Sequence, residues 1–129
     1  MTEVTPTTTL YSIAGGMPFF ERLVHRFYEG VAADPQLRPL YPEEDLAGAS
    51  RRLTLFLAQY WGGPRTYDDE RGHPRLRMRH FPFGIGPLER DRWLVHMRAA
   101  IAELAPPAEV ADALEGYFTH AAEAMRNRD

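Results

Sequence analysis

The chain contains no cysteine and no lysine. Without cysteine it has no disulfide framework, no thiolate nucleophile, no zinc finger and no iron–sulfur cluster. Without lysine, all 15 basic side chains are arginine. Arginine offers planar, two-pronged contacts to carboxylates or phosphates in place of flexible point charges. The formal charge of −3 lacks the basic excess of a general nucleic-acid binder, so no nucleic-acid partner is expected. No apolar run approaches the roughly 20 residues that span a bilayer, so no membrane span is expected. The opening MTEVTPTTTL has neither a positive region nor an apolar core, and it is not read as a signal peptide. A soluble, cytoplasmic protein is the expectation. There is no P-loop, no GxGxxG and no HExxH, and no window alternates with the period of a strand.

What is present is helical. At 129 residues the chain suits one domain with a sizeable core. Residues 1–10, rich in threonine, read as a flexible tail, and 11–129 as the domain. After Gly15-Gly16, Pro18 suits a first helical turn. Phe20, Leu23, Val24, Phe27 and Val31 then recur at helical spacing, which predicts a helix over 18–31 that Asp34-Pro35 ends. Pro42-Glu43-Glu44-Asp45 starts the next, with acidic residues where the helix dipole favours them. Its stripe is Leu46, Ala49, Leu53, Phe56, Leu57 and Tyr60, and Gly62-Gly63-Pro64 stops it. Arg65 to Gly72 shows no periodicity and reads as a loop. A short helix is expected at 74–80. Another begins at Gly86-Pro87, with Trp93, Met97, Ile101 and Leu104 as its stripe, and Pro106-Pro107 ends it. The last is predicted over 107–126 on Val110, Leu114, Tyr117, Phe118, Ala121 and Met125. The fold class is all-α.

The distinctive stretch is Gln59–His80, QYWGGPRTYDDERGHPRLRMRH. It delivers His80 at the end of a short helix, among Arg75, Arg77 and Arg79 and ahead of Phe81, Phe83 and Ile85. An imidazole, apolar walls and cations for two carboxylates are what a haem requires. A solvated basic turn is the blander alternative, and it leaves the large flanking apolar residues unexplained. The other histidines carry less: His73 suits a cap, His25 lies beside its helix's stripe, and His96 and His120 read as surface positions. Three aromatics with polar tips also stand out: Tyr28 at the edge of the first apolar face, Tyr41, and Trp93 on an inner stripe. Each is explicable as core packing, since a buried Tyr or Trp needs only some partner for its O–H or N–H. Gathered at one cavity they would form a hydrogen-bonding cage for a ligand that gains negative charge on binding.

These segments resemble a known family. FYEGVAADPQLRPLYPEEDLAGA (27–49), LFLAQYWGGPRTY (55–67), RGHPRLRMRHFPF (71–83) and ERDRWLVHM (89–97) look like a group II truncated haemoglobin of the actinobacterial O type. The likeness covers about residues 11–102. It implies a truncated globin, a two-over-two helical sandwich, holding haem b (iron protoporphyrin IX). By that resemblance His80 is the iron ligand, and Tyr28, Tyr41 and Trp93 are the distal donors. Ala49 occupies the place where a longer globin often carries a distal histidine, and Leu53 walls the haem. Tyr67, Arg79 and Arg77 are expected at the propionates, and Phe56, Met78 and Phe83 against the haem face.

The resemblance implies binding of dioxygen, and of nitric oxide, carbon monoxide or peroxide. With Ala49 unable to donate, the two tyrosines and the tryptophan would hold dioxygen. At about 1 kcal/mol or more per hydrogen bond, and about 1.4 kcal/mol per tenfold, together they would slow its release by several decades. The alternative is an enzyme on the same haem, performing nitric-oxide dioxygenation or peroxidase-like turnover with a reductant from outside the chain. A third reading drops the haem and leaves a helical interaction module. Apolar surface on the last two helices would suit a homodimer, which nothing in the sequence fixes.

Overall fold

A glycine pair sets the first long helix. Gly15 and Gly16 adopt φ 116 and 74, backbone that L side chains rarely enter. They turn a five-residue helix, α1 (Leu10–Ala14), into α2 (Met17–Ala32). The computed structural model describes residues 9–42, 46–80 and 83–129, except the side chains of Leu76 and Arg77. Among the described residues there is no strand. A 3-10 turn (Arg38–Leu40) leads to α3 (Ala47–Tyr60), α4 (Thr66–Arg71), α5 (Leu76–His80), α6 (Pro87–Leu104) and α7 (Ala108–Ala124).

The long helices form where the apolar spacing predicts. α2 buries Phe19, Phe20, Leu23, Val24, Phe27 and Val31 along one face. Each full burial is worth about 1.5–3 kcal/mol relative to exposure, which is what holds a 16-residue helix in place. α6 starts on Gly86, whose N–H donates to Glu89 Oε1 at 2.7 Å, and it ends where Ala105 turns left-handed ahead of Pro106-Pro107. α7 buries Val110, Leu114, Phe118 and Ala122. α2 packs on both α3 and α6, and α6 packs on α7. The pair α2/α3 therefore faces the pair α6/α7, the expected two-over-two sandwich, with Phe20, Phe27, Leu23, Met97 and Leu114 fully buried between them.

Five readings are corrected. Thr66–Arg71 is helix α4 instead of a loop. With Tyr67 its single large apolar residue, α4 shows no period, and tertiary bonds hold it: Gln59 and Asp68 exchange two hydrogen bonds of 2.9 Å, and Arg51 grips Glu70 with both terminal nitrogens. Residues 9 and 10 belong to the fold. Thr9 Oγ1 accepts from Ser12 N at 3.1 Å to cap α1, and Tyr11 N donates to Trp61 O at 3.0 Å. The tail reading otherwise falls on residues 1–8, outside the described residues, as does the acidic helix start at 43–45. α5 begins at Leu76 because Arg75 takes φ 47, with its N–H donating to His73 Nδ1 at 3.2 Å. Tyr60, placed on the buried stripe by spacing, is 52% exposed and packs sideways on Tyr117 and Trp61. His96, read as a surface position, is largely buried against Asp34.

Candidate functional site

Between the two layers lies a cavity of about 570 Å³, within the roughly 300–1,000 Å³ range of small-molecule and cofactor sites. α2 contributes Tyr28 to its lining, the segment after it Leu37, Leu40 and Tyr41, and α3 Ala49, Arg52, Leu53, Phe56 and Leu57. α4 adds Tyr67 and Arg71, α5 Arg79 and His80, and Phe83 follows. α6 and α7 close the cavity with Arg90, Trp93, Tyr117 and Phe118.

Ten of the twelve residues singled out by sequence meet here: Tyr28, Tyr41, Ala49, Leu53, Phe56, Tyr67, Arg79, His80, Phe83 and Trp93. Met78 does not. It is 60% exposed and outside the lining, because it precedes Arg79 and His80 on a five-residue helix whose other side carries those two to the cavity. The side chain of Arg77 lies outside the described residues. Sequence reading missed Arg52 and Arg71. Arg52 stands three residues after Ala49, so helical spacing could have found it; Arg71 ends α4, which has no period to read.

The polar aromatics are arranged by the core. Tyr28 is nearly buried and meets the Tyr41 ring edge-on, with centroids 5.6 Å apart and planes at 83°. Phe27, fully buried, lies 4.9 Å from both Tyr28 and Trp93, so one core ring spaces the two polar aromatics. Phe118 backs Trp93 from α7 at 5.6 Å. Arg38 Nη1 donates to the Tyr41 carbonyl at 3.1 Å and holds the backbone that presents it.

A buried charge cluster ties the segment just after α2 to α6. Asp34 is 2% exposed. Its Oδ1 accepts from Gln36 N at 2.8 Å, and its Oδ2 is shared by Arg92 Nε at 3.0 Å and His96 Nε2 at 2.6 Å. Burial pushes the carboxyl up, but the bonds from His96, Gln36 and Arg92 outweigh it and hold the pKa at about 2. Gly30 admits the cluster, since a Cβ there would collide with the His96 ring. Trp93 is flanked in sequence by Arg92 and stands three residues before His96.

The lining suits haem. His80 offers an imidazole, and Arg52, Arg71 and Arg79 are cations at the wall. Arg79 Nε is buried with no hydrogen-bond partner, while its Nη2 reaches only the Arg71 carbonyl at 3.3 Å. A buried guanidinium donor left unpaired is costly, and a propionate would pair it. Among the described residues no three His, Cys, Asp or Glu side chains gather as a bare metal-ion site, and no helix is long and apolar enough to cross a membrane.

Residues 9–127 match the family described as bacterial-like globin. The chain is 40% identical over 113 residues to the group 2 truncated haemoglobin YjbI of Bacillus subtilis (strain 168), covering 88% of this chain and 85% of that one. It is similar in structure to a thermostable haemoglobin from the actinobacterium Thermobifida fusca, at 64% identity and TM-score 0.91 over 93% of this chain and 98% of that one. It also resembles a truncated oxygen-avid haemoglobin from Bacillus subtilis, at 38% identity and TM-score 0.88 over 93% of this chain and 100% of that one.

Proposed function

Because the chain belongs to the bacterial-like globins and, among them, to the group II truncated haemoglobins, we propose that it holds haem b on His80 and binds dioxygen tightly, with slow release. The observation that carries this is the meeting of Tyr28, Tyr41 and Trp93 with His80 around one cavity. Haem supplies an iron with an open position for a diatomic gas. His80 ligates from the end of α5, and Arg79 and Tyr67 pair the propionates, with Arg71 and Arg52 beside them. Leu53, Phe56 and Phe83 exclude water. The Tyr28 and Tyr41 hydroxyls and the Trp93 indole N–H donate to the bound gas, and Ala49 leaves them unchallenged. The oxygen-avid relative favours the same reading. Such a site suits retention of the gas, or redox work on it with a separate reductant, better than delivery.

Stopped-flow dissociation of oxygen tests this. Tyr28→Phe and Trp93→Phe should each release oxygen about tenfold faster than the wild type, the effect of one lost charge-assisted hydrogen bond. Equal rates in all three proteins would sink the proposal.

A further inference from the structure

The segment after α7 folds back onto His80, Phe83 and Ile85. Asn127 uses both ends of its carboxamide and its backbone N–H to do so. Its Nδ2 donates to the His80 carbonyl at 3.3 Å and to the Phe83 carbonyl at 2.8 Å. Its Oδ1 accepts from Ile85 N at 2.9 Å. Its backbone N–H donates to the Ile85 carbonyl at 2.9 Å, and that of Arg128 to the same oxygen at 3.0 Å. Gly84 eases the approach: Arg128 Nε lies 3.3 Å from where its Cβ would sit.

This pattern is more than a way to tie down the segment after α7, which the two backbone bonds to Ile85 would do. The carboxamide is matched to three backbone groups on both sides of one turn, and one of them belongs to His80. α5 has five residues and cannot hold a side chain in register by itself. We propose that Asn127 is a positioning residue for the proximal histidine: by gripping the carbonyl of His80 it sets how the imidazole meets the iron. The inference rests on the reading of His80 as the iron ligand.

The test is resonance Raman spectroscopy of the deoxygenated ferrous protein, following the iron–histidine stretch. Asn127→Asp keeps the shape and the acceptor but turns the two donated bonds into oxygen facing oxygen. Asn127→Ala removes all three side-chain bonds without adding charge. Both should shift and broaden the band, and release haem to an acceptor globin about tenfold faster. Asn127→Gln, with the same carboxamide on a longer stem, should recover part of the wild-type band. A wild-type band in both the Asp and Ala variants overturns the proposal, even if haem leaves faster, because faster loss alone would mean a merely structural tie. His80→Gly separates the two claims. If that variant keeps the band, the assignment of His80 falls; if it loses the band while the Asn127 variants keep theirs, only the positioning role falls.

Discussion

The two walls of the cavity are built in opposite ways. The proposed distal donors ride on the folding core. Tyr28 sits on a 16-residue helix and Trp93 on an 18-residue one, with fully buried Phe27 between their rings and the Asp34 cluster bolting the two helices together. The proximal wall hangs from five residues of helix. It includes Arg79 with an unpaired buried Nε and a turn held by Asn127, while Met78 on the same short helix is exposed. Geometry that the core enforces exists before any ligand arrives. Geometry that depends on one side chain and on the group it will bind is open to adjustment. If the proposed function holds, the Tyr28–Tyr41–Trp93 cage is pre-organised, and haem would complete the His80 side.

The strongest way to break the comparison is to remove the bolt. Asp34→Ala leaves Arg92 and His96, one turn apart on α6, without the carboxylate they share. Removing one partner of a buried pair costs about 3–5 kcal/mol, and Arg92, 43% exposed, can recover some of that from water. A loss of about 3 kcal/mol is expected in urea unfolding, accompanied by faster oxygen release as Trp93 loses its register. Asn127→Ala, by contrast, loses three part-buried bonds at about 0.5 kcal/mol each, and should cost about 1.5 kcal/mol in global stability. If the two variants are equally destabilised, the walls are not built differently.

Acid attacks the same bolt. The Asp34 carboxyl falls from an ordinary 3.8 to about 2 on folding, worth about 2 kcal/mol. A depressed carboxylate pKa gives stability that is fully present above the unfolded value. It is lost as pH falls from about 4 through about 2. Urea unfolding at pH 5 and pH 2.5 should show a larger acid loss in the wild type than in Asp34→Asn. Parallel losses would mean that other carboxylates govern the acid limb.

The same contrast explains what the sequence discloses. The spacing on α2 and α7 is legible because burial of a helical face repeats every three or four residues, and it predicts those helices to within two residues of their ends. Tyr28, Tyr41 and Trp93 stand out as polar tips on or beside such faces. α1 and α4 are illegible because five or six residues hold too little period to read. Asp34 and His96 are 62 positions apart. Nothing local marks a histidine whose distinction is a carboxylate in the segment after α2 and a glycine, Gly30, that makes room for its ring. Asn127 is 47 positions from His80 and hidden in the same way.

Met78 gives the smallest and sharpest test. The family resemblance puts it against the haem face, but the structure leaves it 60% exposed and out of the lining, while Arg79 and His80 beside it reach the cavity. If α5 is already in its final orientation, Met78→Ser is a surface change. Stability should then stay within about 0.5 kcal/mol of wild type, and the rate of haem loss should not move. If α5 turns when haem binds, Met78 swings inward and its thioether gains apolar contact. The same variant would then leave the apo-protein's unfolding unchanged yet shed haem faster. That split would place the adjustable part of the site in α5 itself, with Asn127 as its fixed hinge point. An unchanged rate would put the adjustment in the side chains of Arg79 and His80 alone.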